Sequence, residues 1–382
     1  MNKYCIQPFN NIRIEVTEDN VTQYKPCCHY KSATNFSDVK SYLESAELKN
    51  LQHHLLTQPE LPSGCQYCKD TEAHGNENST RLLHSYVEPT SETKIENLEI
   101  NPGNICNLKC IMCNSLASSA VSSEHVKLGW IKKHVVTEQD EEMLSTLNQF
   151  DSLKSVSILG GEFFLSKLNL EILDQLIDKK LEVKLTTNAT ELTSAHLDKL
   201  KKIHKLELTV SVDGIGPIYE FIRYPASWDT VNANINNLKK ILPQASLAIN
   251  TVVQPLNIQF VDELIHYANQ HRIGIRFHLL TRPRWLAWNI LTQDESLLLV
   301  NHLKQKLLSA RMSRFQRESV EKFMQHLSQS KFDPELRALF VKKMSAVLTL
   351  RKVPNKQIKT VFGILNKLYD EIISEKAYKS HV

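Results

Sequence analysis

Three cysteines on one short segment constrain this chain more than any other feature of its sequence. Cys106, Cys110 and Cys113 are spaced C-x3-C-x2-C. Residues 95–100 before them alternate apolar and polar side chains, as a β-strand with one buried face does. A Pro-Gly pair then interrupts that pattern. The sequence therefore places three thiols on a loop at the carboxyl end of a predicted strand.

Three thiolates are one fewer than most protein metal sites use. A structural zinc site is closed by four ligands, and a [4Fe–4S] cluster usually binds four cysteine thiolates. Three cysteines would leave one iron of such a cluster open. An open iron can bind a small molecule, so the spacing favours a cofactor that reacts over one that only stabilises the fold.

This cysteine loop after the first strand resembles that of the radical S-adenosylmethionine (radical SAM) enzymes. The resemblance implies that Cys106, Cys110 and Cys113 hold a [4Fe–4S] cluster, and that its open iron binds SAM through the amino and carboxylate groups. It further implies that one electron cleaves SAM to a 5′-deoxyadenosyl radical, which abstracts hydrogen from a substrate. An electron donor such as flavodoxin or ferredoxin is then required.

Apolar strand-like runs alternate with helix-like segments through the middle of the chain. This alternation predicts an α/β fold with a parallel sheet and right-handed crossovers. The resemblance implies a partial (β/α)6 TIM-type barrel, in which the chemistry lies at the carboxyl ends of the strands. The predicted strands are Leu98–Asn101, Ser155–Leu159, Leu181–Thr187, Leu206–Val212, Leu247–Val253 and Gly274–Leu280.

Gly160-Gly161-Glu162 follows the second predicted strand. Glycines allow the backbone to come close to a ligand, and a carboxylate accepts hydrogen bonds from an ammonium group. The run resembles the family's Gly-Gly-Glu motif, which binds the amine of SAM. Phe163 stands where the family usually has proline.

Polar residues at the later strand ends are further candidates for contacts with SAM. The resemblance implies roles in binding SAM for Asn188, Ser211, Asp213, Arg223 and Asn250. Asn188 could equally form an Asx turn. Arg223 suits the SAM carboxylate because a guanidinium matches a carboxylate fork, but a surface salt bridge is its alternative. Asn250 is expected to reach the ribose hydroxyls.

A second set of thiols precedes the barrel. Cys5, Cys27, Cys65 and Cys68 could by spacing alone bind either zinc or a [4Fe–4S] cluster. Beside the radical SAM loop the set resembles the twitch module, a shortened relative of the SPASM domain. The resemblance implies an auxiliary [4Fe–4S] cluster. Cys28 competes with Cys27 as a ligand, and we favour Cys27 from the order Pro-Cys.

Three regions follow from these patterns. Residues 1–90 are predicted to form the auxiliary-cluster module, residues 91–288 the partial barrel, and residues 289–382 a helical region. Helical patterns include Ser37–Leu56 in the first region and Lys356–Ile373 in the last.

Composition bounds the possible partners. The chain has 382 residues, of which 42% are hydrophobic, and no apolar run reaches the ~20 residues that span a bilayer. Its first residues contain no secretory apolar segment. The net charge is +4, whereas residues 301–382 alone carry 17 Lys and Arg against 7 Asp and Glu. Such a basic tail could face an acidic peptide or a nucleic acid, but we favour a solvated helical surface as its explanation. We expect a cytoplasmic protein without membrane or nucleic-acid partners.

The leading hypothesis is oxidative modification of a peptide, as in the maturation of ribosomally made peptides, with the auxiliary cluster accepting an electron. A radical SAM dehydrogenase or epimerase acting on a small metabolite is the first alternative. A non-catalytic, zinc-stapled scaffold or nucleic-acid-binding protein is the alternative from another class.

Overall fold

A computed structural model gives the structure of the chain. It describes residues 4–32, 34–73, 79–84, 90–137, 141–308 and 310–380. Each of the two compact units into which the chain divides is assembled from several segments. The first unit contains Met1–Cys106, Val135–Thr186 and Thr193–Glu207, and the second contains Asn107–His134, Thr187–Leu192 and Leu208–Val382.

The described residues form a mostly parallel sheet of eight strands, in the order β2-β1-β3-β4-β5-β6-β7-β8. Strands β3 to β8 correspond to the six predicted strands, so the predicted α/β fold with a partial TIM-type barrel is confirmed. The strands are β1 Asn11–Val16, β2 Thr22–Lys25, β3 Asn97–Asn101, β4 Ser155–Ile158, β5 Glu182–Thr187, β6 Lys205–Ser211, β7 Ser246–Val253 and β8 Gly274–Leu279.

The N-terminal hairpin is part of this sheet. Strand β1 pairs antiparallel with β2 and parallel with β3, where Arg13 lies opposite Glu99. The hairpin of β1 and β2 was expected from their alternating patterns and the turn between them, but such local patterns do not reveal a distant parallel neighbour, so the pairing of β1 with β3 was not foreseen. The division into residues 1–90, 91–288 and 289–382 stays a prediction.

The sheet in the first unit has one apolar and one polar face. In register across β1, β3 and β4, Ile12, Leu98 and Val156 are at most 1% exposed. One residue further along, Arg13, Glu99 and Ser157 form a polar row. The Arg13 guanidinium donates to the Glu99 carboxylate at 3.1 Å. Alternation along the strands thus places the core on one face and charged groups on the other.

Helices fill the segments between and after the strands. They are α1 Gln7–Asn10, α2 Val39–Leu43, α3 Ala46–Thr57, α4 Gln66–Ala73, α5 Thr80–Leu83, α6 Ser119–Lys127, α7 Glu141–Thr146, α8 Lys167–Leu176, α9 Ser194–Leu200, α10 Pro217–Ile222, α11 Trp228–Ile241, α12 Val261–His271, α13 Gln293–Leu307, α14 Arg314–Gln329, α15 Pro334–Leu350, α16 Asn355–Phe362 and α17 Asn366–Ser380.

Two predicted helices are interrupted. The pattern over Ser37–Leu56 becomes α2 and α3, because Ser45 caps the second helix by accepting the Leu48 N–H at 3.2 Å. The pattern over Lys356–Ile373 becomes α16 and α17 at Gly363. This glycine has a φ of +50°, and a Cβ there would collide with the Gln259 side chain. A glycine within a helical pattern does not reveal such a break by itself.

The C-terminal region is helical, as predicted, and is held by a partly buried ion network. Arg337 donates to Glu295 at 2.8 Å and to Glu371 at 2.8 Å, which joins α15 to α13 and α17. None of the helices in the described ranges combines the length and the apolar character that crossing a bilayer requires.

Candidate metal and cofactor sites

In the first unit, the Gly-Gly-Glu turn lies against the segment that leads into Cys106. The Gly161 N–H donates to the Gly103 carbonyl at 3.0 Å, and the Glu162 N–H donates to the Ile105 carbonyl at 2.7 Å. The turn after β4 is therefore hydrogen-bonded to the loop after β3. Glu162 is thereby placed beside the residue that precedes Cys106.

Both glycines are required by this backbone contact. Gly160 has a φ of +120°, and a Cβ there would lie 2.7 Å from the Gly103 carbonyl oxygen. A Cβ on Gly161 would lie 2.6 Å from the Ile105 carbonyl carbon. Sequence reasoning assigned the glycines to the approach of a ligand, whereas here they allow two backbones to touch. Glu162 is 1% exposed and its carboxylate caps the short 3-10 turn Phe163–Leu165.

In the second unit, the segment with Cys110 and Cys113 is fastened to the end of α10. The Lys109 N–H donates to the Tyr224 carbonyl at 2.6 Å, and the Ile111 N–H donates to the Ile222 carbonyl at 2.9 Å. These bonds flank Cys110 on both sides. They fix the loop backbone independently of any bound group.

Arg223 and Asp213 form a buried ion pair behind Cys110. The Arg223 Nε lies 2.7 Å from Asp213 Oδ2, and its Nη1 donates to Cys110 Sγ at 3.8 Å. Asp213 is completely buried and also accepts the Val252 N–H at 2.7 Å. Burial raises the pKa of Asp213, and the neighbouring guanidinium opposes that shift. The predicted alternatives for Arg223 were a SAM carboxylate or a surface salt bridge. The structure pairs it with Asp213 inside the protein, so the salt bridge is buried rather than at the surface, and the contact with the SAM carboxylate stays a prediction.

Asn188 connects the end of β5 to the cysteine segment of the same unit. Its Nδ2 donates to Asn107 Oδ1 at 3.0 Å, and its Oδ1 accepts the Thr190 N–H at 2.9 Å. The second bond is the Asx turn that sequence reasoning kept as the alternative. Asn188 therefore supports the loop that carries Cys110 and Cys113.

Asn250 in β7 offers an unused acceptor. Its backbone carbonyl accepts the Val212 N–H at 2.9 Å, just after Ser211 ends β6. Its side-chain Oδ1 is buried and has no hydrogen-bond partner among the described residues. A buried acceptor without a donor costs free energy unless a ligand or water satisfies it. Asn250 is thus suited to a hydroxyl donor.

Two further polar residues lie on the same face as Asn250: Arg276, which sequence reasoning missed, and His278, which it expected to be a core histidine. The β7–β8 register places Arg276 opposite Asn250 and His278 opposite Val252, so the even-numbered side chains of the two strands share a face. Both side chains are exposed. The sequence pattern that could have revealed them is the alternation of polar residues 276 and 278 with apolar residues 275, 277 and 279.

Cys5, Cys27, Cys65 and Cys68 line one pocket in the first unit. Burial raises the pKa of Cys5, Cys27 and Cys65 to about 12, and neighbouring thiols add to each shift. All four cysteines are free of disulfides. No group of three or more His, Cys, Asp or Glu in the described part of the chain has the arrangement of a single-ion site.

The fifth thiol of this region is placed differently. Cys28 does not line the pocket. It lies near Arg13 and Glu99 of the polar sheet face and hydrogen-bonds with the Thr80 hydroxyl. The two adjacent cysteines that the sequence could not separate therefore point to different surroundings.

An ion pair anchors the wall of the four-thiol pocket. Arg81, which lines the pocket, is 4% exposed and its Nε donates to Glu72 at 3.0 Å. The Ser79 hydroxyl donates to the same carboxylate at 2.6 Å. Burial alone would raise the pKa of Glu72, but these donors lower it overall.

Comparison with known proteins places a family domain over the barrel. Residues 100–268 match the model of the radical SAM superfamily. The probable GTP 3′,8-cyclase of Methanocaldococcus jannaschii is 25% identical over 177 residues, which are 46% of this chain and 55% of that protein. The GTP 3′,8-cyclase of Synechocystis sp. is 28% identical over 203 residues, 52% of this chain and 57% of that protein. The chain thus spans about half the length of these curated relatives.

Solved structures also match. Native anSMEcpe with bound AdoMet is 19% identical, with a TM-score of 0.40 over 55% of this chain and 59% of that chain. Streptococcus suis SuiB bound to S-adenosylmethionine is 17% identical, with a TM-score of 0.36 over 77% of this chain and 54% of that chain. The family match covers the cysteine loop, the Gly-Gly-Glu turn and strands β4 to β7. Residues 100–268 are thus similar to the radical SAM superfamily, for which SAM and a [4Fe–4S] cluster are the implied cofactors.

Proposed function

We propose that this protein is a radical SAM enzyme that oxidatively modifies a peptide with the help of an auxiliary [4Fe–4S] cluster. The observation that carries the proposal is the pocket lined by Cys5, Cys27, Cys65 and Cys68. It gives the chain a second thiol set besides the three-cysteine loop of the family domain. A thiol set beyond the family loop suits a reaction that needs a second redox centre.

The residues around the cysteine loop fit the implied cofactors. Cys106, Cys110 and Cys113 form no disulfide and are partly accessible, and they would hold the first cluster. A cluster and SAM bound there would supply the radical chemistry that takes hydrogen from a C–H bond. Glu162 would accept hydrogen bonds from the SAM ammonium group, and Asn250 Oδ1 would accept one from a ribose hydroxyl.

Other predicted residues would act by positioning. Arg223 donates toward Cys110 Sγ and is itself held by Asp213, so the pair would orient one thiolate. Asn188 holds the same segment through Asn107. Gly160 and Gly161 would keep Glu162 beside the loop. Ser211 would lie near the SAM ribose or carboxylate.

The auxiliary set would consist of Cys5, Cys27, Cys65 and Cys68. Cys27 is chosen over Cys28 because it lines the pocket. Four protein thiolates would leave no open iron, so a cluster held by them would supply a one-electron acceptor. That favours a net oxidation such as dehydrogenation or formation of a crosslink. A cytoplasmic donor such as flavodoxin or ferredoxin would supply the first electron.

A peptide substrate suits the polar face of β7 and β8. Arg276 and His278 are accessible donors on the face that carries Asn250. Backbone carbonyls and carboxylates of a peptide would accept hydrogen bonds from them. The basic C-terminal region would favour an acidic peptide at longer range.

A nucleotide is the second candidate substrate, because both curated relatives described above are GTP 3′,8-cyclases or probable ones. Arg276 would then contact phosphate.

Isotope transfer distinguishes the two candidates. Anaerobically reconstituted enzyme is given SAM, dithionite and either GTP or a peptide fraction from cells grown on deuterated amino acids. The proposal predicts 5′-deoxyadenosine that carries deuterium from the peptide fraction and no substrate-dependent turnover with GTP. Turnover of GTP without deuterium transfer from peptides would replace the peptide by a nucleotide.

A further inference from the structure

A cavity of about 300 Å³ lies in the second unit, where the loop after α10 meets the turn between α15 and α16. None of the predicted cluster or SAM residues lines it. Its volume is at the lower end of small-molecule sites and holds roughly ten water-sized heavy atoms. Five apolar side chains form much of its wall: Phe221, Pro225, Ala226, Leu348 and Val353.

Arg351 presents a donor in this cavity. Its guanidinium is held on the Glu124 carboxylate, with Nε to Oε1 at 2.9 Å and Nη2 to Oε2 at 2.7 Å. Both side chains are 4% exposed. The guanidinium also lies over the Tyr224 ring, with Cζ 4.9 Å from the ring centroid. The remaining nitrogen, Nη1, has no hydrogen-bond partner among the described residues. Glu124 thus fixes the Arg351 guanidinium in place, and Nη1 is available to donate to a ligand.

Further positive potential converges on the same cavity. Lys352 lines it with an exposed side chain. The N-terminus of α16 begins at its edge, where Pro354 provides no side-chain cap and the first turn contains no acidic residue. Unsatisfied N–H groups at a helix N-terminus favour an anion. Glu220 is the single carboxylate among the described lining residues, and it already accepts the Trp228 N–H at 3.0 Å.

We propose that this cavity binds an organic carboxylate with an apolar body, such as a free acid with an aromatic side chain. The carboxylate would accept hydrogen bonds from Arg351 Nη1 and Lys352, and the apolar body would contact Phe221, Pro225 and Leu348. The structure also connects the cavity to the cysteine loop, because Arg351 Nη2 donates to the Lys109 carbonyl at 2.5 Å. Lys109 directly precedes Cys110. This inference does not depend on the identity of the enzyme's substrate.

The test is calorimetric titration of the full chain with 3-phenylpropionate, its neutral isostere 3-phenylpropionamide, and inorganic phosphate. We expect saturable 1:1 binding of the carboxylate and about tenfold weaker binding of the amide, because a charge-assisted hydrogen bond is lost. Equal binding of acid and amide, or no saturation by the acid, would overturn the proposal. Displacement of the acid by phosphate would assign the cavity to phosphate anions instead.

Two variants localise the binding. Lys352 has a φ of +54°, which asparagine tolerates well, so Lys352→Asn removes the charge without backbone strain. It should weaken binding of the acid about fivefold and leave the amide unchanged. Ala226→Leu should fill the cavity and abolish binding of both. Lys356→Gln, an exposed neighbour outside the lining, is the matched control. Unchanged affinity in Lys352→Asn would contradict the assignment even if Ala226→Leu does not fold.

Discussion

The two cysteine sets reach their sites by opposite routes. Cys106, Cys110 and Cys113 occupy eight consecutive residues on one loop. The other set combines Cys5 before α1, Cys27 after β2, and the pair Cys65 and Cys68 at the start of α4. The first set is a local motif that spacing alone reveals. The second becomes a set only when three separate segments fold around one pocket.

The difference has a chemical counterpart. Three thiolates leave an iron open for a substrate-like ligand, whereas four close the cluster. The loop set should therefore determine whether SAM is cleaved. The pocket set should determine what becomes of the substrate radical.

Loss of one cysteine from each set should separate these two functions. Cys110→Ala should reduce 5′-deoxyadenosine release to the level of a no-enzyme control, because the first cluster loses a ligand. Cys65→Ala should retain that release but yield no oxidised product. Iron content should fall from about eight to about four per chain in each variant. If Cys65→Ala forms product at the wild-type rate, the four-thiol pocket has no part in turnover.

Two adjacent cysteines offer the sharpest test inside the pocket set. Cys27 lines the pocket and Cys28 does not. Cys27→Ala should lose about four irons, while Cys28→Ala should keep them, as measured by iron and sulfide analysis after anaerobic reconstitution. Loss of iron in Cys28→Ala but not in Cys27→Ala would show that Cys28, and not Cys27, is the cluster ligand. If the reaction were an epimerisation, Cys28 could donate the hydrogen atom that returns to the substrate. Full activity of Cys28→Ala in deuterated water would exclude Cys28 from that role.

The packing of the Gly-Gly-Glu turn can be tested without touching a thiol. Gly161→Ala should destabilise the protein by about 1–3 kcal/mol and impair SAM cleavage, because the new Cβ overlaps the Ile105 carbonyl. Gly129→Ala is the control, since Gly129 has a φ of +70° but no atom within 4 Å of an added Cβ. Gly129→Ala should lower the free energy of unfolding by about 1 kcal/mol and leave the rate of SAM cleavage unchanged. If Gly161→Ala and Gly129→Ala changed the rate of SAM cleavage equally, the contact with Ile105 would be unimportant for that reaction.

The smallest expected effect is a pH dependence at the wall of the pocket. The donors Arg81 and Ser79 lower the pKa of Glu72 below its ordinary 4.5. A carboxyl with a lowered folded-state pKa stabilises the fold above pH 4.5 and loses that contribution as the pH falls through the folded-state pKa. The free energy of unfolding of the wild-type protein should therefore fall between about pH 5 and pH 3 as Glu72 is protonated. In Glu72→Gln this fall should be smaller by on the order of 1 kcal/mol. The exposed Glu318→Gln serves as control.

Sequence patterns predicted the strands well because alternation is a local property. Each of β3 to β8 begins and ends within a residue or two of its prediction. The pairing of β1 with β3 depends on contacts between residues far apart in sequence, such as Arg13 and Glu99, which are 86 positions apart. No local pattern reveals such a pairing. The break at Gly363 depends likewise on the distant Gln259.

The candidate site shows the same limit. Its motifs were visible, but the partners of its residues were not. Asp213 and Arg223 were both predicted to face SAM, and the structure pairs them with each other. Arg276 was passed over, and His278 was expected to be a core histidine, because the face they share became apparent only from the register with Asn250 and Val252.

One measurement tests the central claim most directly: metal content and SAM cleavage of the anaerobically reconstituted full chain. The account predicts about eight irons with matching sulfide, negligible zinc, and release of 5′-deoxyadenosine on addition of SAM and dithionite. A colourless protein that holds zinc and releases no 5′-deoxyadenosine would contradict it and would favour a zinc-stapled scaffold.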